Sequence, residues 1–242
     1  MLFSPKELSI WWGIRPTGVV HVGAHLAEES KSYSELDWGE IIWIEAQKHL
    51  AEKLVSSLSP EKNKVICAAI WDEADIDMNL LISSNSQSSS LLNFGPHFRE
   101  NGAIKITGKQ EVKTKRLDQV LPESLTANFI NLDIQGVELR ALISLGERIS
   151  QFDYVYTEVN SKYVYEQCAL IRDIDLYLST NGFSRIGTRW RLFRNWGDAI
   201  YVRQQREHHI NNLTKLFQFM LNTNFYFRQI IDRTLQFVSR LV

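Results

Sequence analysis

The chain is poor in cysteine, and its charges nearly cancel. Cys67 and Cys168 are the only two cysteines in 242 residues. They lie about a hundred positions apart and form no C-x-x-C pair, so neither a disulfide framework nor a zinc site is expected. Lys and Arg number 27 against 28 Asp and Glu, for a net charge of −1. Broad nucleic-acid binding calls for a basic excess, and none is present. No run of about 20 residues is free of charge, so no membrane-spanning helix is expected. The opening MLFSPKELSIWWGIRP has no apolar stretch behind a basic start. A secretory leader is therefore not expected, and a cytoplasmic location is. Three motifs are also missing: the phosphate-cradling P-loop, G-x-S-x-G, and the three-glycine turn of nicotinamide-binding folds. Where the last would need glycine, the chain has His25 and Glu28.

With 44% hydrophobic and 23% charged residues, the chain has the make-up of an ordinary globular protein. The length suits one domain of about 200 residues with small appendages. Residues 1–17, with Trp11 and Trp12 ahead of Pro16, read as a leading helix lying on a sheet. From residue 18 a rhythm begins. Short apolar strands at 18–22, 41–44, 64–70, 128–133 and 154–159 alternate with helices at 26–36, 48–58, 137–145 and 165–180. A further strand is expected at 76–82, a polar loop at 83–90, an antiparallel insertion at 104–107 and 111–116, and a closing strand pair at 183–187 and 198–203. The alternation predicts an α/β fold with a mostly parallel sheet and an antiparallel strand added at its edge. The resulting domain runs over 18–206. Residues 207–242 form a basic amphipathic helical tail, whose apolar stripe must lie on the domain, on a second copy of the chain or on a membrane surface.

In such folds ligands sit beyond the carboxyl ends of the strands. Four stretches deliver polar residues there. In VVHVGAHLAEE, Gly23 follows the first strand and allows a close backbone approach. Glu45 closes IIWIE about 20 positions later, where a carboxylate can accept both hydroxyls of a ribose. Asp133 closes NFINLD, with Gly136 and Glu138 behind it. Glu158 closes YVYTE and stands beside Asp133, so the two carboxylates repel and one is expected to hold its proton or share a cation. The cluster Lys105, Lys109, Lys113, Lys115 and Arg116 reads as a solvated face, with steering of an anionic acceptor as the alternative.

These stretches together, VVHVGAHLAEE, WIEAQ, NLDIQGVELRAL and VYTEVNSKYVY, resemble the FkbM family of S-adenosylmethionine-dependent methyltransferases over about residues 18–203. The resemblance implies a Rossmann-like class I methyltransferase fold with a mostly parallel seven-stranded sheet, here followed by a C-terminal helical extension. It implies methyl transfer to a hydroxyl of a sugar, glycan or natural product. His21, Gly23, Ala24, His25, Glu45, Ala46 and Asp133 become the cofactor contacts, and Asp133 and Glu158 the catalytic carboxylates, with His97 behind them as a base. A divalent cation on Asp133 and Glu158 is an option the chemistry leaves open but does not require. The chain departs from the family pattern at His21, in place of an Asp, at Ala27, in place of a Gly, and at Gln135, in place of a Glu. Two other readings remain at this point: a methyltransferase-like binding or assembly protein without catalysis, and a nucleotide-sugar-modifying Rossmann enzyme. Neither a nucleic-acid partner nor a transmembrane anchor is expected; a homodimer or peripheral membrane contact through the tail is left open.

Overall fold

The computed structural model describes residues 1–95 and 104–209. Helix α1 (Pro5–Trp12) has its start and stop written locally. The Ser4 hydroxyl and the Glu7 carboxylate cap each other's backbone N–H groups, Pro5 opens the first turn, and Gly13 ends the helix in the left-handed conformation. The strands that follow are β1 (Gly18–Val22), β2 (Glu40–Glu45), β3 (Asn63–Cys67), β4 (Ala69–Ile70), β5 (Asp77–Ser83), β6 (Ile106–Lys115), β7 (Phe129–Leu132), β8 (Tyr154–Asn160), β9 (Phe183–Trp190) and β10 (Trp196–Arg203). Between them lie the helices α2 (Ser30–Glu35), α3 (Lys48–Ser57), α4 (Leu117–Val120), α5 (Glu138–Ser144) and α6 (Ile171–Thr180).

Seven strands form the main sheet in the order β3-β2-β1-β7-β8-β10-β9. All neighbours from β3 to β8 are parallel, and β10 runs antiparallel to both β8 and β9. The reversal therefore sits one strand in from the edge, and the edge itself is β9. Strand alternation divides the core in two. Val20, Val22, Ile42, Ile44, Ile130 and Leu132 face one layer, which holds Leu117, Ala141, Leu142, Ile174 and Leu178 of α4, α5 and α6. Val19, Ile41, Trp43, Phe129 and Tyr156 face the other, with Leu8 and Trp12 of α1 and Tyr33 of α2.

Several elements differ from the sequence reading, each for a local reason. The helix expected at 26–36 begins only at Ser30, because His25 and Ala27 take positive φ values of 46° and 56° in the preceding turn. The run Lys64–Ile70 is two strands, split at Ala68: β3 pairs with β2, whereas β4 pairs with β6 in a separate three-stranded sheet ordered β4-β6-β5. The two segments at 104–107 and 111–116 are one continuous strand, β6, antiparallel to β5. The helix expected from 165 begins at Ile171, and turns fill the residues before it. Trp12 is buried, while Trp11 stays exposed. His97 and residues 210–242 of the tail lie outside the described residues.

Candidate active site

The carboxyl ends of β1, β2, β7 and β8 enclose two adjoining hollows. A narrow cleft of about 70 Å³ is lined by Gly23, His25, Glu45, Ala46, Gln47, Ala68, Ala69, Ser90, Asp133 and Gln135, among others. It opens into a cavity of about 680 Å³, lined in part by His21, Asp133, Gln135, Glu158, Tyr165, Asp198 and the tip of the β9–β10 hairpin. Gly23, His25, Gln87, Asp133 and Gln135 line both. The serine-rich loop after β5 roofs the cleft. Gln87 Nε2 donates to Glu28 at 3.1 Å and Ser90 Oγ donates to the Gln135 carbonyl at 2.7 Å.

Glu45 ends β2 with its carboxylate turned back along the sheet edge. Oε2 accepts from the His25 N–H and Oε1 from the Gln47 N–H, both at 2.8 Å. Burial pushes its carboxyl up, against the pull of those two N–H groups. Each oxygen keeps a lone pair for a further donor. Beside it the Gln47 side-chain carbonyl is buried in the cleft wall with no hydrogen-bond partner. A buried acceptor left empty is costly, so this wall suits a ligand that brings hydroxyl or amine donors.

Asp133 and Glu158 meet at the next strand ends, and Gln135 ties them together. Its Nε2 donates to Asp133 Oδ1 at 2.7 Å and to Glu158 Oε2 at 3.3 Å, while its Oε1 accepts from the Tyr165 hydroxyl at 2.6 Å. Gln135 holds this bridge from a left-handed backbone, φ 56°. Burial pushes the Glu158 carboxyl well above the usual carboxylate range, and Asp133, Glu138 and Asp198 push the same way. Glu138 is buried behind the site. Its carboxylate accepts from the Gly136 and Ile134 N–H groups, yet burial still lifts it to about 7. Asp198, in mid-strand β10, accepts from the Leu2 N–H and from the Tyr156 hydroxyl, and burial lifts it to about 6.

The raised Asp198 has a consequence for stability. Below its ordinary value of 3.8 the carboxyl is protonated in both the folded and the unfolded chain. As pH rises towards about 6, the unfolded chain gives up the proton first, so stability is lost across that window. The loss is on the order of 3 kcal/mol. Urea unfolding at pH 4 and pH 7 should show it as a falling difference between the wild type and Asp198→Asn, which cannot titrate; a constant difference would contradict it.

The remaining sequence candidates fall in different places. His21 is buried on the aromatic face of β1, 4.9 Å from the Trp43 ring centroid, with Asn131 Nδ2 within 3.3 Å of both its ring nitrogens. Burial lowers its pKa, which favours the neutral imidazole. It reaches the wider cavity and not the cleft. Ala24 packs in the core and its N–H bonds the Ile44 carbonyl, so its side chain reaches neither hollow. His25 Nδ1 sits 2.6 Å from Glu28 Oε1 at the cleft mouth. Of the basic cluster, Lys109, Lys113 and Lys115 lie on β6, with Lys105 just before it and Arg116 just after; Lys113 and Lys115 pair with Asp77 and Asp75, and none of the five lines either hollow. Gln47, Tyr165 and Asp198 were missed, although an acid inside the apolar run of β10 is itself a signal. Among the described residues no three His, Cys, Asp or Glu side chains are grouped as a metal site, and no helix is long and apolar enough to cross a membrane.

Residues 21–185 match the methyltransferase FkbM domain. The chain belongs to the FkbM family. It is a methyltransferase whose methyl donor is S-adenosylmethionine. The sheet order, with its single reversed strand, is that of the Rossmann-like class I methyltransferases. Similar solved structures include a SAM-dependent methyltransferase from Aquifex aeolicus, with 12% identity, TM-score 0.46, and 84% of this chain and 90% of that one covered. Magnesium protoporphyrin IX methyltransferase from Synechocystis PCC 6803 shares 11% identity at TM-score 0.44, covering 76% and 73%. M. capricolum TrmK shares 8% at TM-score 0.44, covering 77% and 62%. No curated protein sequence matches the chain.

Proposed function

We propose that this FkbM methyltransferase methylates a hydroxyl of a sugar, glycan or natural-product acceptor. The observation that carries the reading is the Gln135-bridged pair of Asp133 and Glu158, set in the floor of a cavity that opens directly from the cofactor cleft. The bound cofactor supplies an electrophilic methyl group on a sulfonium. What the protein must add is alignment of an acceptor oxygen and a place for the proton. Glu45 and Gln47 present acceptors to the ribose and adenine portions. Asp133, at the junction of cleft and cavity, faces the sulfonium side. Glu158, buried and raised in pKa, is a stronger base than a solvated carboxylate and takes the hydroxyl proton when ionised. Gln135 and Tyr165 hold that carboxylate in place.

The test is titration calorimetry with S-adenosylhomocysteine. The wild type is expected to bind, and Glu45→Ala to bind about 10–100-fold more weakly, the equivalent of roughly 1–3 kcal/mol for losing charge-assisted hydrogen bonds. Unchanged affinity in Glu45→Ala would remove Glu45 from the cofactor site. A wild type that does not bind S-adenosylhomocysteine would overturn the reading as a whole and leave a methyltransferase-like binding protein.

A further inference from the structure

Arg191 and Arg194, at the tip of the β9–β10 hairpin, line the wide cavity at its mouth. Their side chains have no hydrogen-bond or ion-pair partner among the described residues. Every other arginine there has one. Arg116, Arg140, Arg185 and Arg189 pair with Asp118, Asp72, Asp175 and Glu7. Arg172 and Arg206 also pair with acids, while Arg15, Arg148 and Arg203 donate to backbone carbonyls. Two unpartnered guanidinium groups three positions apart, both at the rim of one cavity, are a feature that packing does not require.

The tip holds its shape. The Arg191 N–H bonds the Trp196 carbonyl at 3.0 Å, and the Arg194 N–H bonds the Arg191 carbonyl at 3.1 Å. The Asn195 carbonyl accepts from both the N–H and the hydroxyl of Ser161, just beyond β8. Phe193 is held at φ 57° and is 74% exposed, yet it lines the same cavity. The cavity is therefore electrically polarised. Its floor carries Asp133, Glu158 and Asp198, its mouth carries two arginines, and the other acids of its lining, Glu28 and Glu29, are paired with His25 and the Met1 ammonium. An anion is repelled from the floor and attracted to the rim, and a guanidinium fork matches a carboxylate or phosphate in geometry as well as charge.

We infer that the acceptor is anionic: it carries a carboxylate or phosphate group that Arg191 and Arg194 hold at the mouth while its neutral hydroxyl end points down to Glu158. This rests on the reading of the cavity as the acceptor site and names the class of molecule it takes. The two arginines act in binding and orientation, and the proton still leaves through Glu158.

The experiment uses the full chain saturated with S-adenosylhomocysteine and measures binding of glucose, glucuronic acid and glucose 6-phosphate by ligand-observed NMR. The charged sugars are expected to bind at least about tenfold more tightly than glucose, as charge-assisted hydrogen bonds do over neutral ones. Arg191→Gln/Arg194→Gln should abolish that preference, and Arg191→Lys/Arg194→Lys should keep part of it. Which charged sugar binds more tightly tells carboxylate from phosphate. Equal or absent binding of charged and neutral sugars, or a preference that survives the Gln substitutions, overturns the inference. So does weakened S-adenosylhomocysteine binding in the Gln variant, which would give the arginines to the cofactor's carboxylate instead. Both side chains are exposed, so the thermal midpoint is expected to stay put and serves as the check on folding. Failure of the wild type to bind S-adenosylhomocysteine belongs to the proposed function and is read before any sugar is added.

Discussion

Replacing Glu158 by Gln is expected to cut methyl transfer by about a hundred- to ten-thousandfold, the range a positioned general base contributes, with S-adenosylhomocysteine binding kept. The substitution preserves shape and can still meet Gln135 Nε2 through its own carbonyl oxygen. It removes only the group that accepts the proton. Because burial and the neighbouring Asp133, Glu138 and Asp198 hold the Glu158 proton on, the wild-type rate should climb with pH through a range above that of ordinary carboxylates. That climb should vanish in Glu158→Gln. Asp133→Asn is expected to lower the rate as well, and to shift the climb to lower pH by removing a charge that opposes ionisation of Glu158. Turnover of an accepted substrate, measured from pH 5 to 9, checks all three. Full activity in both variants would displace the catalytic pair.

Gly23→Ala is expected to be the most damaging glycine-to-alanine substitution among the described residues. Gly23 sits at φ +87°, and a Cβ there would lie 1.9 Å from the Asp133 carbonyl oxygen and 2.8 Å from its carbon. Neither atom can swing aside. The Asp133 N–H is bonded to the Val22 carbonyl and the Gly23 N–H to the Ile44 carbonyl, so the ends of β1, β2 and β7 are laced together at that point. Overpacking and the left-handed backbone together should cost about 3–5 kcal/mol, a large part of a typical domain's stability. Urea unfolding of the variant measures this. A loss below about 1 kcal/mol would mean the three strand ends can part at little cost, against the close packing seen here.

Much of the site could be read from the chain because strand ends announce themselves. An apolar run that stops at an acid places that acid at the sheet's ligand edge, and this holds for Glu45, Asp133 and Glu158. The same reasoning misplaced Ala24, since being next to a turn glycine does not tell which way a side chain points. The second sheet was hidden for a different reason. Alternation in β5 and β6 shows that they are strands but carries no information about their partners, and the split of Lys64–Ile70 at Ala68 has no break in apolar character to reveal it. Arg191 and Arg194 were silent in the sequence because what marks them, the lack of a partner among the described residues, emerges only in the folded structure.

The order in which the chain is made acquires meaning from the N-terminal strip. The Leu2 N–H bonds Asp198, the Phe3 N–H bonds the Tyr156 hydroxyl, and Arg189 reaches back to the Leu2 carbonyl and the Glu7 carboxylate. Residues made before β1 thus find their partners on β8, β9 and β10, the last of the described strands. Closing a loop of that length delays the contact, and until β8 and β10 arrive the Leu2 and Phe3 N–H groups lack the acceptors they have in the fold. The proposed acceptor cavity, whose lining includes Asp198, is therefore finished late, by a clasp between the two ends of the domain, and a nascent chain that has already laid down β1, β2 and β7 has yet to complete it.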